Sequence, residues 1–150
     1  MPKLSNNESQ DFTHYLRFNY VDLQTTGYLS TIGAANQRVI GSVPAGGAVS
    51  VCAVYEKTGA GTANDITIDV GVTAADPDDF IDALNLYGLT KAAYNTGDVL
   101  TTSGDDGTLY VNNSTSAVDI VMEVNGTHAS LTAGDWLVCW KQFDPGRFAA

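Results

Sequence analysis

The fold is decided by residues 43–73, which read VPAGGAVSVCAVYEKTGAGTANDITIDVGVT. Residues 49–56 place Val, Val, Ala and Tyr at every second position, and residues 66–72 place Ile, Ile, Val and Val in the same way. A period of two is typical of a β-strand with two different faces. The stretch therefore predicts two antiparallel strands joined by a longer loop of small and turn residues.

Period-two segments bounded by turn residues continue along most of the chain. Further strands are predicted in residues 13–21, 37–43, 98–102, 108–112, 118–124 and 135–143. The segments 98–102 and 108–112 flank a turn and predict a hairpin. Residues 22–35 are ambiguous and could hold another short strand at 28–32. Together these segments give about eight strands.

One short helix is predicted in residues 77–86. Asp76 can cap it, and Pro77 suits its first position. Phe80, Leu84 and Tyr87 follow at i, i+4 and i+7, which places them on one helical face. The remaining segments carry period-two patterns, so the sequence indicates an all-β protein with this one helical piece.

Length and composition favour one folded domain. The chain has 150 residues, of which 44% are hydrophobic, enough for a core without covalent staples. Residues 1–11 are polar and are predicted to form a flexible N-terminal arm, and residues 12–150 a single domain. About eight short strands predict an antiparallel β-sandwich of two packed sheets, as in a jelly roll, or a barrel.

One face of each strand is expected to build the core. The predicted core residues are Val49, Val51, Ile66, Ile68, Val70, Val118, Ile120, Met122, Trp136 and Val138. Cys52 and Cys139 also lie in predicted strands. In a reducing compartment they would be small core thiols, and a bridge between adjacent strands is the alternative.

The charge balance restricts the partners. Seven Lys and Arg against seventeen Asp and Glu give a formal net charge of −10. Such a surface repels phosphate backbones and anionic lipids, so direct binding to nucleic acid or to a membrane is not expected.

The first residues lack the apolar segment of a signal peptide, and no apolar run approaches the length of a membrane span. Synthesis in a cytoplasm is expected.

Few residues suggest chemistry. His14 and His128 have no partner at metal-ligand spacing, so His14 is interpreted as a surface or interface residue. Asp76, Asp78, Asp79 and Asp82 could offer oxygen ligands to Ca²⁺, but their spacing differs from that of the EF-hand loop. Solvated carboxylates at a helix start are the favoured interpretation. The sequence therefore predicts no catalytic residue, no metal site and no cofactor.

The aromatic residues leave two interpretations open. Trp136 and Trp140 share a strand face, and tyrosines are spread over the other strands. Exposed aromatic rings could stack on sugars, whereas buried rings would pack the sandwich core or a subunit interface. The second interpretation is favoured.

The order of these segments resembles small structural proteins of tailed bacteriophages. The resemblance rests on GSVPAGGAV at residues 41–49, DITIDVG at 65–71, DPDDFI at 76–81 and GDWLV at 134–138, and it extends over roughly residues 37–143. It implies a virion protein with a β-sandwich, often a jelly roll, and it carries over no catalytic residue.

The resemblance implies a component of the head, the tail or a fibre, and the first hypothesis is a capsid decoration (cement) protein, which would bind the outer surface of a phage head and stabilise it. Its expected partner is the major capsid protein, its expected state a homotrimer, and its expected location the virion surface after synthesis in the host cytoplasm. The alternative is a receptor- or glycan-binding domain of a phage tail or fibre. An enzyme such as a glycan hydrolase is disfavoured, since no obvious pair of carboxylates is present.

Overall fold

Two antiparallel sheets pack face to face in the computed structural model, which describes residues 12–29, 36–61, 65–87, 89, 92–94, 96–100 and 109–148. The strands are β1 (His14–Asn19), β2 (Gln37–Val43), β3 (Ala48–Thr58), β4 (Thr67–Gly71), β5 (Ile81–Asn85), β6 (Ala92–Tyr94), β7 (Tyr110–Val111), β8 (Val118–Asn125) and β9 (Asp135–Phe143). Helix α1 (Tyr20–Gln24) and two 3₁₀ turns (His128–Ser130, Pro145–Phe148) complete the described elements.

One sheet has five strands and the other has four. The order of the first is β1-β9-β3-β6, with β7 also pairing with β3, and the order of the second is β2-β8-β4-β5. The predicted all-β antiparallel sandwich is thereby confirmed, with nine strands in the described ranges. The predicted arm, residues 1–11, lies outside those ranges. No helix among the described residues is long and apolar enough to cross a membrane.

The hairpin predicted from residues 49–56 and 66–72 is wrong. Both strands exist, but β3 lies in the five-stranded sheet and β4 in the four-stranded sheet. The loop between them is long enough to change sheets, and the backbone of Gly61 exchanges hydrogen bonds with Ala133 and Thr132. An alternating pattern specifies which face is buried but not which strand is the neighbour.

The helix predicted at 77–86 is also wrong, because this segment carries the edge strand β5. Ile81 pairs with Val70 and Leu84 with Ile68, so one extra residue of β5 bulges between them. Ala83 adopts a positive φ of 42° at this bulge. The bulge breaks the strict alternation of a strand, which explains why the spacing of the apolar residues imitated a helix.

A short helix forms elsewhere, directly after β1. Asn19 caps it: its side-chain oxygen accepts a hydrogen bond from the Asp22 backbone, and the Asp22 side chain accepts one from the Asn19 backbone. This reciprocal pair is a capping box. The strand predicted for residues 13–21 therefore ends two residues early, at Asn19.

Two other predicted strands differ in part. Residues 98–100 are not in a strand, and 101–102 lie outside the described ranges, as do 30–32 of the ambiguous segment. The described part of 108–112 contributes the two-residue strand β7, which pairs with β3 rather than with a hairpin partner.

The core fills the space between the sheets. Eight of the ten predicted core residues are buried, and Val51 and Val118 are only half-buried. In β3 a register shift lies between Val49 and Val51. Because one extra residue reverses the facing of all that follow, Val49 faces the core, but Cys52 and Val54 replace Val51 there.

Candidate interaction surfaces

His14 and His128 lie in different parts of the fold and have different neighbours. The ring of His14 stacks on the ring of Trp140, with centroids 5.5 Å apart. His128 lies in a 3₁₀ turn at the end of the sandwich next to α1. Within the part of the chain that the structure describes, no three His, Cys, Asp or Glu side chains are grouped as metal ligands.

In the acidic cluster of residues 76–82, the Asp79 carboxylate accepts hydrogen bonds from the backbone that follows β4. Asp79 Oδ2 accepts hydrogen bonds from the backbone N–H of Val72, at 2.7 Å, and of Thr73, at 3.2 Å. Burial, followed by the nearby Asp76, raises the pKa of Asp78. The interpretation of these carboxylates as a helix start is wrong, because Asp79 instead holds the turn that follows β4.

Two further carboxylates, those of Asp69 and Glu123, lie on the outer face of the four-stranded sheet. Asp69 of β4 and Glu123 of β8 are directly opposite each other in the register. Asp69 Oδ1 accepts a hydrogen bond of 2.6 Å from the N–H of Ala83. The Asn125 amide nitrogen is 2.8 Å from Glu123 and 3.4 Å from Asp69. Burial first, with repulsion from Glu123 among the lesser causes, raises the pKa of Asp69.

We call this outer surface of the four-stranded sheet the acidic face. Its members alternate with the core residues of β2, β4 and β8 and include Asp69, Asp119 and Glu123. The segment after β4 covers part of it, since the amide of Gln37 donates to the carbonyl of Ala74. No Lys or Arg side chain that the structure describes lies on this face.

The outer surface of the five-stranded sheet, which we call the apolar face, has the opposite character. Facing follows from the register, because residues directly opposite each other in antiparallel strands share a face. The apolar members whose side chains the structure describes are Tyr15, Ala48, Val51, Ala53, Tyr55, Ala92, Val111, Leu137, Cys139 and Phe143. Tyr15 is 75% exposed and Phe143 50% exposed, although the sandwich has a closed core on its other side.

Three cations stand on the apolar face. Arg17 makes a two-pronged contact with Asp135, with nitrogen–oxygen distances of 2.9 and 2.5 Å. The same carboxylate lies 3.9 Å from Lys57. This pairing lowers the pKa of Asp135 and raises that of Arg17. Lys141, opposite Val51, is exposed. Among the residues that the structure describes, three cations and one carboxylate stand on this face, a positive balance in a protein whose net charge is −10.

The two cysteines are neighbours in the five-stranded sheet but point to opposite sides of it. Cys52 pairs with Trp140, and Ala53 pairs with Cys139. Cys52 therefore faces the core, whereas Cys139 is buried on the apolar face. Both thiols are reduced, and the alternative of a bridge is excluded by this geometry. Burial raises the pKa of Cys139 to about 12 and that of Cys52 further.

An open cavity of about 510 Å³ lies beside α1. Its lining consists of Leu23, Gln24, Thr25, Thr26, Gly27, Leu29, His128 and Ala129. The side-chain amide of Gln24, one of the lining residues, donates hydrogen bonds to the carbonyl oxygens of His128 and Leu131. Its described lining contains no Trp, Tyr or Phe ring on which a sugar could stack.

The sequence identified the strands that carry aromatic residues, but it did not show which of their rings are exposed. Trp136 and Trp140 are core residues, and the Trp140 indole N–H donates to the buried Gln142 side chain. The exposed rings on the apolar face are Tyr15 and Phe143. The excess of apolar residues on both sides of β9 was the signal for this face.

A solved structure of another protein has a similar fold. No protein-family model matches the chain, and no curated protein matches it significantly. Among solved structures, the chain is similar to one in the cyanophage Pam1 capsid asymmetric unit. The TM-score is 0.57 at 19% identity, and the match covers 88% of this chain and 83% of the other. The two proteins therefore share a fold over most of both chains.

Proposed function

We propose that the protein is a structural component of a tailed-phage virion, and more specifically a decoration (cement) protein on the outer surface of the head. The observation that carries the proposal is the shared fold with a chain of a phage capsid asymmetric unit. The match covers 88% of this chain and 83% of the other, so the likeness extends over most of both chains rather than over a short segment.

The surface properties support the same role. A cement protein acts through its surfaces and needs no active site. The apolar face offers exposed Tyr15 and Phe143 on one side, and the acidic face carries Asp69, Asp119 and Glu123 on the other. A face of this kind on a folded domain is typical of a contact with another protein. Under this proposal the partner is the major capsid protein.

The proposed assembly is a homotrimer, with the arm of residues 1–11 contacting a neighbouring subunit or the shell. Closed symmetric oligomers are the general rule for soluble assemblies. Sedimentation equilibrium at micromolar concentration tests the assembly, and a species of 15.8 kDa would mean a monomer. A chain without residues 1–11 should fold but bind heads more weakly.

The decisive experiment uses heads of the phage that encodes this chain, produced with its gene deleted. Purified protein is added, unbound protein is removed by centrifugation, and the particles are imaged by electron cryomicroscopy. We expect density of this sandwich on the outside of the shell and a higher melting temperature of the heads. Binding to purified tails or fibres, with bare heads left unoccupied, would overturn the proposal.

A further inference from the structure

We infer that the apolar face is the surface that docks, and that its partner is a protein surface presenting carboxylates around an apolar patch. This inference rests on the proposed function and adds to it the orientation of the domain on the shell and the chemistry of the shell surface. The acidic face would then point to solvent.

The shape of the apolar face supports this inference. Tyr15, Cys139 and Ala53 form one row across β1, β9 and β3. Cys139 and Ala53 are buried in that row, so Tyr15, at 75% exposure, protrudes among these three residues. At the other end of the sheet, Phe143 and Val111 flank Ala48 in a second row. Interfaces are enriched in such aromatic side chains, and a domain that stays alone in water gains nothing from them.

The charges on the two faces of the sandwich indicate that the partner surface is acidic. Lys141 lies between the two apolar rows, and Arg17 and Lys57 lie together beyond the Tyr15 row. Asp135 contacts both Arg17 and Lys57 and offsets one of the three positive charges. The acidic face has no described cation to balance Asp69, Asp119 and Glu123. A molecule with this distribution turns its positive side toward an acidic surface, because the field of its charges favours that orientation before contact. Two copies meeting through this face would bring like charges together, which disfavours a second copy as the occupant.

The position of the N-terminal segment agrees with this orientation. The ring of Phe12 packs edge-on against Tyr55, with centroids 6.1 Å apart, on the apolar face. Phe12, the first residue that the structure describes, therefore lies on the face that docks.

The test compares two charge reversals on exposed strand positions. Lys141→Glu changes the apolar face, and Asp119→Lys changes the acidic face by the same two units. Neither side chain is buried, so both variants should fold, which circular dichroism and melting confirm. Binding to heads lacking the protein is measured by co-sedimentation at about 50 and 200 mM NaCl. We expect Lys141→Glu to weaken binding at least about tenfold at low salt, and Asp119→Lys to leave it within about twofold.

A second variant and a footprint make the result independent of one side chain. Tyr15→Ser removes the protruding ring and should also weaken binding at least about tenfold. Acetylation of Lys57 and Lys141, followed by mass spectrometry, should fall when the protein is on heads.

The outcomes separate the two proposals. Wild-type protein that does not bind heads overturns the proposed function and this inference with it. Wild-type protein that binds, with both variants unimpaired and both lysines still labelled, overturns the inference alone. If Lys141→Glu and Tyr15→Ser instead dissociate an oligomer in sedimentation, a second copy occupies the face. If deleting residues 1–11 raises lysine labelling in the free protein, the chain's own arm covers it. Either result also overturns the inference.

Discussion

Gly41 lies against the indole ring of Trp140, so closely that a β carbon at Gly41 would sit 2.6 Å from Cζ2 of that ring. The two residues belong to different sheets, and the contact is the place where β2 meets β9 across the core. Trp140 has little freedom to move, because His14 stacks on its ring and Gln142 accepts its N–H at 2.9 Å.

Gly41→Ala should therefore destabilise the protein. Overpacking of a fixed aromatic ring costs about 1–3 kcal/mol in the free energy of unfolding, which urea denaturation measures. Gly146→Ala is the matched control, since a β carbon there meets nothing within 4 Å, and its effect should be within about 0.5 kcal/mol. Equal midpoints for the two variants would contradict the packing described here.

The facing of Val70 in β4 and of Val51 in β3 predicts unequal losses of stability from the same substitution. Val70→Asp places an unpaired charge in the core between the sheets, where Val70 is fully buried, and should cost about 3–5 kcal/mol. Val51→Asp places the same charge on the half-buried apolar face and should cost about 1 kcal/mol. Thermal melts of both variants decide it: comparable losses would mean that the register shift after Val49 is absent.

These two residues also show where sequence reasoning ends. The alternation around Val70 is regular, and it predicted both the strand and its buried side. The alternation around Val51 is equally regular, but the extra residue at the bulge depends on the pairing with β9, which no local pattern reports. Pairing likewise decided that β3 and β4 lie in different sheets. The apolar face was predictable only as an excess of apolar residues, because its members come together through contacts between strands distant in sequence.

Asp79 is expected to be structural rather than a metal ligand. Asp79→Ala removes the acceptor for the N–H groups of Val72 and Thr73 and should cost about 1–3 kcal/mol in the free energy of unfolding. Asp82→Ala, an exposed neighbour, should change it by about 0.5 kcal/mol or less. Calcium chloride should leave the melting temperature of wild-type protein unchanged; a rise with added calcium would show that the cluster binds the ion.

The two thiols should be inert in the folded protein. Burial and the raised pKa of Cys139, about 12, leave almost no thiolate at pH 8. Ellman's reagent should label neither cysteine in native buffer and both in guanidinium chloride. Oxidation should also fail to join them, because Cys52 and Cys139 point to opposite sides of one sheet. An intramolecular disulfide found by mass spectrometry of the native protein would refute this arrangement.

Asp69 should give the protein a pH dependence of opposite sign to that of a carboxylate whose pKa folding lowers, because burial raises its pKa. The folded-state pKa of Asp69 is raised, so the folded protein takes up this proton at a higher pH than the unfolded chain does. Stability contributed by Asp69 therefore rises as the pH falls through its folded pKa toward its ordinary value near about 3.9. Protonation also removes the repulsion between two carboxylates that face each other across strands.

The measurement is the difference in unfolding free energy between wild type and Asp69→Asn at several pH values from 7 to 4. We expect the difference to shift in favour of wild type as the pH falls. Asp65→Asn is the matched control, because a hydrogen bond from Thr127 lowers the pKa of Asp65, and there the wild-type advantage should shrink over the same range. Using differences removes the constant effect of the altered hydrogen bond to Ala83. Parallel curves for the two variants would contradict the raised pKa of Asp69 in the folded protein.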